Sequence, residues 1–228
     1  MKVLFLNTWG GKVREDITKF IEEQSRDTDI FCFQEVYKEM KFLCRDILPN
    51  YQEMTAYKYV AEDDDFPQAT YVDKNITILS SGTLLKRQTN SGLGIYVRVR
   101  LGHNDLYVCN IHGLSKPVDK LDNPDRLKQS RRLIDFFKDK TGLKIIGGDF
   151  NLSPNTKSLQ MFQENGYRDL IKEFEIPSTR NRFAWEIYPD NKQYYSDYVF
   201  VSPDVKIKNF SVPDIEISDH LPLILELE

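Results

Sequence analysis

The chain has 228 residues, 40% of them hydrophobic and 29% charged, and 31 Lys and Arg against 35 Asp and Glu give a net charge of −4. These proportions exclude a disordered or fibrous chain, and the acidic balance argues against attachment to nucleic acid or an anionic membrane by bulk charge. A chain this long can bury roughly 70% of its unfolded surface, so its core needs no disulfide or structural metal. Three widely spaced cysteines (Cys32, Cys44, Cys109) form no CxxC pair, which suggests a reducing compartment rather than a disulfide framework or a cysteine zinc site. The opening MKVLFLNTW has no signal-peptide core, and no apolar run approaches the ~20 residues of a membrane span. The expectation is a soluble, cytoplasmic monomer that does not engage membranes.

In chain order, residues 2–6 form an apolar run ending in Asn-Thr-Trp-Gly-Gly, a buried strand that exits into a loop. From Val13 the apolar positions Ile17, Phe20 and Ile21 follow helical spacing. Residues 29–36 (DIFCFQEV) are strand-like, and 38–48 predict a helix stopped by Pro49-Asn50. The acidic run 62–65 suggests a solvated loop. Residues 76–81, 94–101 and 106–111 are short β-rich segments separated by Gly, Asn and Asp, an antiparallel pattern. Asn123-Pro124 opens the clearest helix, with Asn as N-cap, Pro at the first helical position and Gly142 beyond the end. Residues 143–146 predict a strand and 157–165 a short helix. Segments 194–202, 206–212 and 221–227 make a β-rich C-terminal third. About nine strands and four helices in mixed order predict a layered α/β domain.

Small polar and acidic residues recur where these strands end, the place where a rigid scaffold presents chemistry. Asn7 follows VLFL, Glu35 follows IFCFQ, and His112 follows VCNI. Asp149 and Asn151 follow KIIGG, Asp197 stands in YYSDYVFV, and Asp219-His220 precede LPLILEL. Each has a plain structural alternative, such as an Asx-type turn at 147–151 or a capped core histidine at 220. A carboxylate such as Glu35 among residues that want burial is costly unless it is paired or holds a cation.

No G-x-S-x-G, H-E-x-x-H, P-loop or G-x-G-x-x-G motif is present, and Pro154 and Gln160 break a calcium-loop pattern beginning at Asp149. The remaining set is rich in oxygen ligands and suits Mg²⁺ or Mn²⁺ acting on a phosphate better than zinc.

Read in order, N-T-W (7–9), F-Q-E-V (33–36), N-I-H-G (110–113), G-G-D-F-N (147–151), S-D-Y-V-F-V (196–201) and S-D-H-L-P (218–222) resemble the endonuclease/exonuclease/phosphatase superfamily. This group contains deoxyribonuclease I, abasic-site endonucleases, inositol polyphosphate 5-phosphatases and neutral sphingomyelinases. The resemblance implies a single catalytic domain over residues 1–228 with an α/β (α+β) four-layer sandwich, two mixed β-sheets face to face and helices on both outer sides. It implies Glu35 as the principal Mg²⁺ ligand, Asn7 beside it, and Asp219 contributing directly or through water. By the same resemblance Asp149 and Asn151 orient or deprotonate the attacking water and hold the phosphate. His220 contacts the phosphate or serves as general base, and Asp197 orients it. His112 matches the second histidine of deoxyribonuclease I-like members, where abasic-site endonucleases carry Tyr.

Substrate choice is less legible. Segment 116–144 carries nine Lys and Arg against five Asp and Glu, which could follow a phosphate backbone or line the outer face of a helix. Loop 178–193 holds Arg180, Arg182, Phe183 and Trp185. Arg180 suits a phosphate and Trp185 a stacked base or sugar, with simple packing as the alternative for the aromatics. The leading expectation is a Mg²⁺- or Mn²⁺-dependent phosphodiesterase, a nuclease acting on DNA, RNA or nucleotide-containing diesters. Alternatives are a phosphatase or phosphodiesterase of a small phosphorylated metabolite or lipid headgroup, and a catalytically inactive binding module of the same fold.

Overall fold

A computed structural model describes every residue except 62, 63 and 188. Lys2–Asn7 (β1) and Ile30–Gln34 (β2) are buried on both faces, which is why they read as unbroken apolar runs. Their alternate residues sort by face. Leu4, Leu6, Phe31 and Phe33 pack with Ile17, Phe20 and Ile21 of α1 (Arg14–Gln24) and with Met40 and Cys44 of α2 (Lys38–Ile47). Val3, Phe5, Ile30 and Cys32 face the other way, into a core shared with Val97, Ile111 and Ile145.

The middle of the chain supplies β3 (Tyr51–Ala56), β4 (Tyr59–Ala61), β5 (Asp64–Asp65), β6 (Gln68–Asp73), β7 (Ile78–Leu84), β8 (Leu93–Leu101) and β9 (Asn104–His112). Then follow α3 (Pro124–Lys138), β10 (Leu143–Asp149), α4 (Lys157–Glu164), β11 (Arg168–Asp169), α5 (Leu170–Glu173) and α6 (Arg182–Ile187). The chain finishes with β12 (Asp197–Val201), β13 (Ile207–Ser211) and β14 (Leu223–Leu227). Two six-stranded mixed sheets result, ordered β13-β14-β1-β2-β6-β3 and β11-β12-β10-β9-β8-β7. They pack face to face with helices outside, the four-layer α/β sandwich. Asn123 caps α3 as expected, its Oδ1 accepting from the amides of Asp125 and Arg126 at 3.0 and 2.9 Å.

The sequence pattern missed β3 and β6. Gln68 and Thr70 are buried in β6, and polar residues at interior positions hide a strand from a reading of hydrophobicity. Thr70 is satisfied from the facing sheet by Asn110, whose Nδ2 donates to Thr70 Oγ1 at 3.3 Å and to the Phe33 and Ala69 carbonyls at 3.1 Å. Of the acidic run expected as a loop, Glu62 and Asp63 lie outside the described residues, and Asp64 and Asp65 form β5.

Pairing direction brings the polar strand ends to one edge. β1 and β2 run parallel, so Asn7 and Glu35 emerge together, and β14 runs antiparallel to β1, so the residues just before it arrive there too. In the second sheet β9 and β10 are parallel and β12 is antiparallel, which sets His112, Asp149 and Asp197 side by side. Gly147 and Gly148 permit this approach. A Cβ on Gly147 would meet the Phe5 ring at 2.8 Å. Gly148 has φ +124°, and its Cβ would lie 2.3 Å from the Ile111 carbonyl oxygen. Gly148→Ala should therefore lower stability by about 3 kcal/mol; an unchanged urea midpoint would contradict this close packing.

Candidate active site

The strand ends line a cleft of about 720 Å³, with Glu35, His112, Lys120, Asp149, Asn151, Arg180, Asp219 and His220 in its wall and Trp9 at its side. Asn7 follows the alternation of Val3 and Phe5 and so points at the facing sheet. Its Nδ2 donates to Glu35 Oε1 at 3.0 Å and to Asp149 Oδ2 at 3.1 Å, and its Oδ1 accepts from the Trp9 amide at 3.0 Å. That amide fixes the orientation of the side chain, so Asn7 meets both carboxylates as a donor. Glu35 would follow Phe31 and Phe33 away from the cleft, but a left-handed backbone (φ 56°) turns it towards Asn7.

Asp149 is buried, and its two oxygens have separate tasks. Oδ1 accepts from Ser196 Oγ at 2.6 Å and from the Asn151 amide at 2.9 Å, so the Asx turn forms and at the same time aims the carboxylate. Oδ2 takes the Asn7 bond and lies 3.8 Å from His112 Nε2 and 3.7 Å from His220 Nε2. Burial acts to raise the Asp149 pKa. The charges of His220, Lys120 and His112 and the Ser196 hydroxyl outweigh it and hold the carboxyl well below its usual range.

His220 stands between two partners. Nδ1 lies 2.8 Å from Asp197 Oδ2, and Nε2 lies 2.8 Å from Arg180 Nη1. An arginine N–H can only donate, so Nε2 is the acceptor here and the ring proton sits on Nδ1, facing Asp197. Burial and Arg180 disfavour a second proton, but Asp197, Asp219 and Asp149 together raise the His220 pKa. Burial also raises that of Asp197, with Asp149 adding to it against the His220 charge. Arg180 Nη2 completes the group with a 2.8 Å bond to Asp219 Oδ2.

Trp185 and the basic segment 116–144 are placed differently from a substrate-binding role. Trp185 does not line the cleft; its indole N–H donates to the Gln193 carbonyl at 3.2 Å and its ring packs on Tyr194, so it clasps its own loop. Trp9 is the tryptophan at the cleft, with Phe183 at a ring-centroid distance of 6.0 Å and Lys12 Nζ 4.2 Å over its ring. The basic segment 116–144 is less basic at the surface than its composition suggests. Arg126 is fully buried, spending its guanidinium on Asp119 and the carbonyls of Leu114, Ser115, Pro117 and Leu121.

Lys120, Ser196 and Thr179 are site residues that sequence reasoning missed. Lys120 Nζ donates to Ser196 Oγ at 2.7 Å, and Ser196 Oγ in turn donates to Asp149 Oδ1 at 2.6 Å. Burial and the neighbouring Arg180 push the Lys120 ammonium down to about 8, against the pull of the three aspartates. Thr179 Oγ1 accepts from the amides of Ser196 and Asp197, and the Leu221 amide donates to the Thr179 carbonyl. This stitch joins the Asp197 and His220 segments. Only Ser196 stood within a quoted motif; Lys120 sat in a charged stretch whose default reading is solvation.

The His220 environment predicts a titration. Its imidazole should take up its second proton above the ordinary histidine pKa, since the folded state favours the charged ring. Asp197→Asn should lower that midpoint, because the carboxylate that stabilises the imidazolium is gone. Histidine ¹⁵N chemical shifts across pH check this; an unmoved midpoint contradicts the coupling.

A sequence model of the Endonuclease/Exonuclease/phosphatase family matches residues 4–220. No curated protein matches the chain in sequence. Solved structures with the same fold include the mannosyl-6-phosphatase of Bacteroides thetaiotaomicron VPI-5482, 18% identical with a TM-score of 0.74, the match covering 100% of this chain and 99% of that one. A truncated TDP2 of Caenorhabditis elegans is 15% identical with a TM-score of 0.69, covering 98% and 95%. The human Nocturnin catalytic domain is 16% identical with a TM-score of 0.69, covering 99% and 93%. With its family model matched over nearly the whole length, the chain belongs to the endonuclease/exonuclease/phosphatase family of metal-dependent phosphoester hydrolases.

Proposed function

We propose that the cleft hydrolyses a phosphodiester by in-line attack of water with Mg²⁺ or Mn²⁺, the substrate being a nucleic-acid end or a small nucleotide-containing diester and residues 1–228 acting as one catalytic domain. The observation that carries this reading is the convergence on Asp149 Oδ2 of Asn7, His112 and His220 from three separate parts of the fold. The oxygen donors fit a hard divalent cation: Glu35 and Asp149 would hold it, with Asn7 keeping the two carboxylates aligned. When bound, such an ion offsets charge on the non-bridging oxygens and the leaving oxygen. Its identity as Mg²⁺ or Mn²⁺ rests on this donor chemistry.

Asp149, held ionised, accepts a hydrogen bond from the attacking water and orients it. His220 is the stronger base within reach and takes the proton, because Asp197 and its neighbours stabilise the imidazolium. Its Nε2 becomes free when Arg180 Nη1 turns from the ring to a phosphate oxygen, while Nη2 stays on Asp219. Asn151, whose Nδ2 donates to the Gly113 carbonyl at 3.1 Å, and His112 bound the phosphate side. Trp9 offers a ring for a base or sugar. A bounded cleft suits an end or a small molecule better than a continuous duplex. A second reading, a monoester phosphatase, has support from the end-to-end structural match to a mannosyl-6-phosphatase.

Bis(p-nitrophenyl) phosphate should be cleaved faster than p-nitrophenyl phosphate, and only with Mg²⁺ or Mn²⁺ present. Preference for the monoester would favour the phosphatase reading, and metal-independent cleavage would overturn both. Asp149→Asn should cost about 10²–10⁴-fold in turnover, and Glu35→Gln should raise the metal concentration needed for half-maximal rate. Trp9→Ala should raise KM for a dinucleotide with kcat little changed; an unaltered KM would remove Trp9 from the substrate site.

A further inference from the structure

We infer that Lys120 is a positioning residue for the reaction: acting through Ser196, it fixes which oxygen of Asp149 the protein holds and which is left for chemistry. This rests on the hydrolytic reading above and adds a residue that serves turnover without touching the substrate. Lys120 Nζ donates to Ser196 Oγ at 2.7 Å, and Ser196 Oγ donates to Asp149 Oδ1 at 2.6 Å. An ammonium has three donors and no acceptor. Ser196 Oγ therefore accepts from Lys120, and its single proton is left for Asp149. Without the lysine that hydroxyl is free to rotate, since a serine O–H turns to suit its neighbours.

The consequence falls on the carboxylate. With the Asn151 amide at 2.9 Å as its second donor, Oδ1 is fully engaged by the protein. Oδ2 faces Asn7, His112 and His220, at 3.1, 3.8 and 3.7 Å. The last torsion of an aspartate is broad and roughly two-fold, so one orientation persists only where one oxygen is tied down. The Lys120–Ser196 relay supplies that tie with a fixed direction of donation.

Several contacts deliver the lysine to this place. Buried Arg126 of α3 gathers the loop ahead of the helix by donating to the carbonyls of Leu114, Ser115, Pro117 and Leu121. Within that loop Lys120 has a left-handed backbone (φ 55°), which residues other than glycine seldom adopt. Its carbonyl accepts from the Ser153 amide at 2.7 Å, tying it to the segment that follows Asp149. Ser196 is pinned on both sides: its amide donates to Thr179 Oγ1 at 3.0 Å and its carbonyl accepts from the Phe150 amide at 2.9 Å. Lys120 is itself buried, and a buried ammonium is costly where an apolar side chain of the same length would fill the space. Its charge reaches Asp149 through a hydroxyl, so it does not compete for Oδ2.

Steady-state hydrolysis of bis(p-nitrophenyl) phosphate by the full chain with Mg²⁺ or Mn²⁺ tests this, using Lys120→Met, Ser196→Ala and the double variant. Each single change should lower kcat about 10- to 100-fold and leave KM within about twofold. The double variant should be no slower than the poorer single, because both changes break one relay. Ethylammonium added to Lys120→Ala should restore part of kcat, and none of it once Ser196→Ala is added, a rescue that a merely structural lysine would not show. Losses that multiply in the double variant, a raised KM at unchanged kcat, or rescue that survives Ser196→Ala would overturn the proposal. If the Lys120 variants do not fold, Ser196→Ala decides, and native turnover in that variant is the contrary result. Cleavage of neither the diester nor p-nitrophenyl phosphate by the native protein would instead sink the hydrolytic reading itself and this inference with it.

Discussion

An ionised carboxylate held almost out of solvent is the constraint on which this structure turns. Desolvating such a group costs several kcal/mol unless hydrogen bonds and opposite charge replace the lost water. Around Asp149 those replacements come from across the fold: Asn7 at the end of β1, His112 at the end of β9, Lys120 from the connection ahead of α3, Ser196 ahead of β12, and His220 ahead of β14. Both sheets must be assembled before the charge is satisfied. The site is therefore a product of the tertiary structure and not of any local segment, and its geometry is as rigid as the strands that carry it.

The mixed strand directions make such a gathering possible. Parallel β1/β2 and β9/β10 pairs send consecutive strand ends to the same edge, and antiparallel β12 and β14 begin there. Glu35, His112, Asp149 and His220, from strand ends in both sheets, can then face one cleft. The polar seam extends between the sheets behind the cleft, where Gln34 Nε2 donates to Asn110 Oδ1 at 2.6 Å. The buried thiols Cys32 and Cys109 border it as packing groups, their pKa values raised by burial. Among the described residues no helix is long and apolar enough to cross a membrane.

Much of this was legible from residue order alone. Apolar runs terminating at Asn7, Glu35, His112 and Asp149 marked both the strands and the residues that meet in the cleft, because a strand buried on both faces must be apolar until the chain reaches solvent or chemistry. β3 and β6 escaped, since Gln68 and Thr70 look like surface residues until a partner in the opposite sheet is known. Lys120 and Arg126 escaped for the same reason: each is an interior cation whose ligands are loop carbonyls or a hydroxyl distant in sequence. Trp185 drew attention as an aromatic beside arginines, whereas the tryptophan at the cleft, Trp9, lies in the Asn7 exit loop. Polar burial is decided by tertiary partners, and sequence pattern is silent about those.

The most direct measurement is anomalous diffraction from crystals grown with Mn²⁺ and a non-hydrolysable phosphodiester. The arrangement of Asn7, Glu35 and Asp149 predicts a manganese peak within coordination distance of a Glu35 oxygen, and a phosphate within hydrogen-bonding reach of Arg180 and His112. A peak seated instead on the Asp197–His220 pair, or none in the cleft, would contradict the assignment of this strand-end cluster as the catalytic centre.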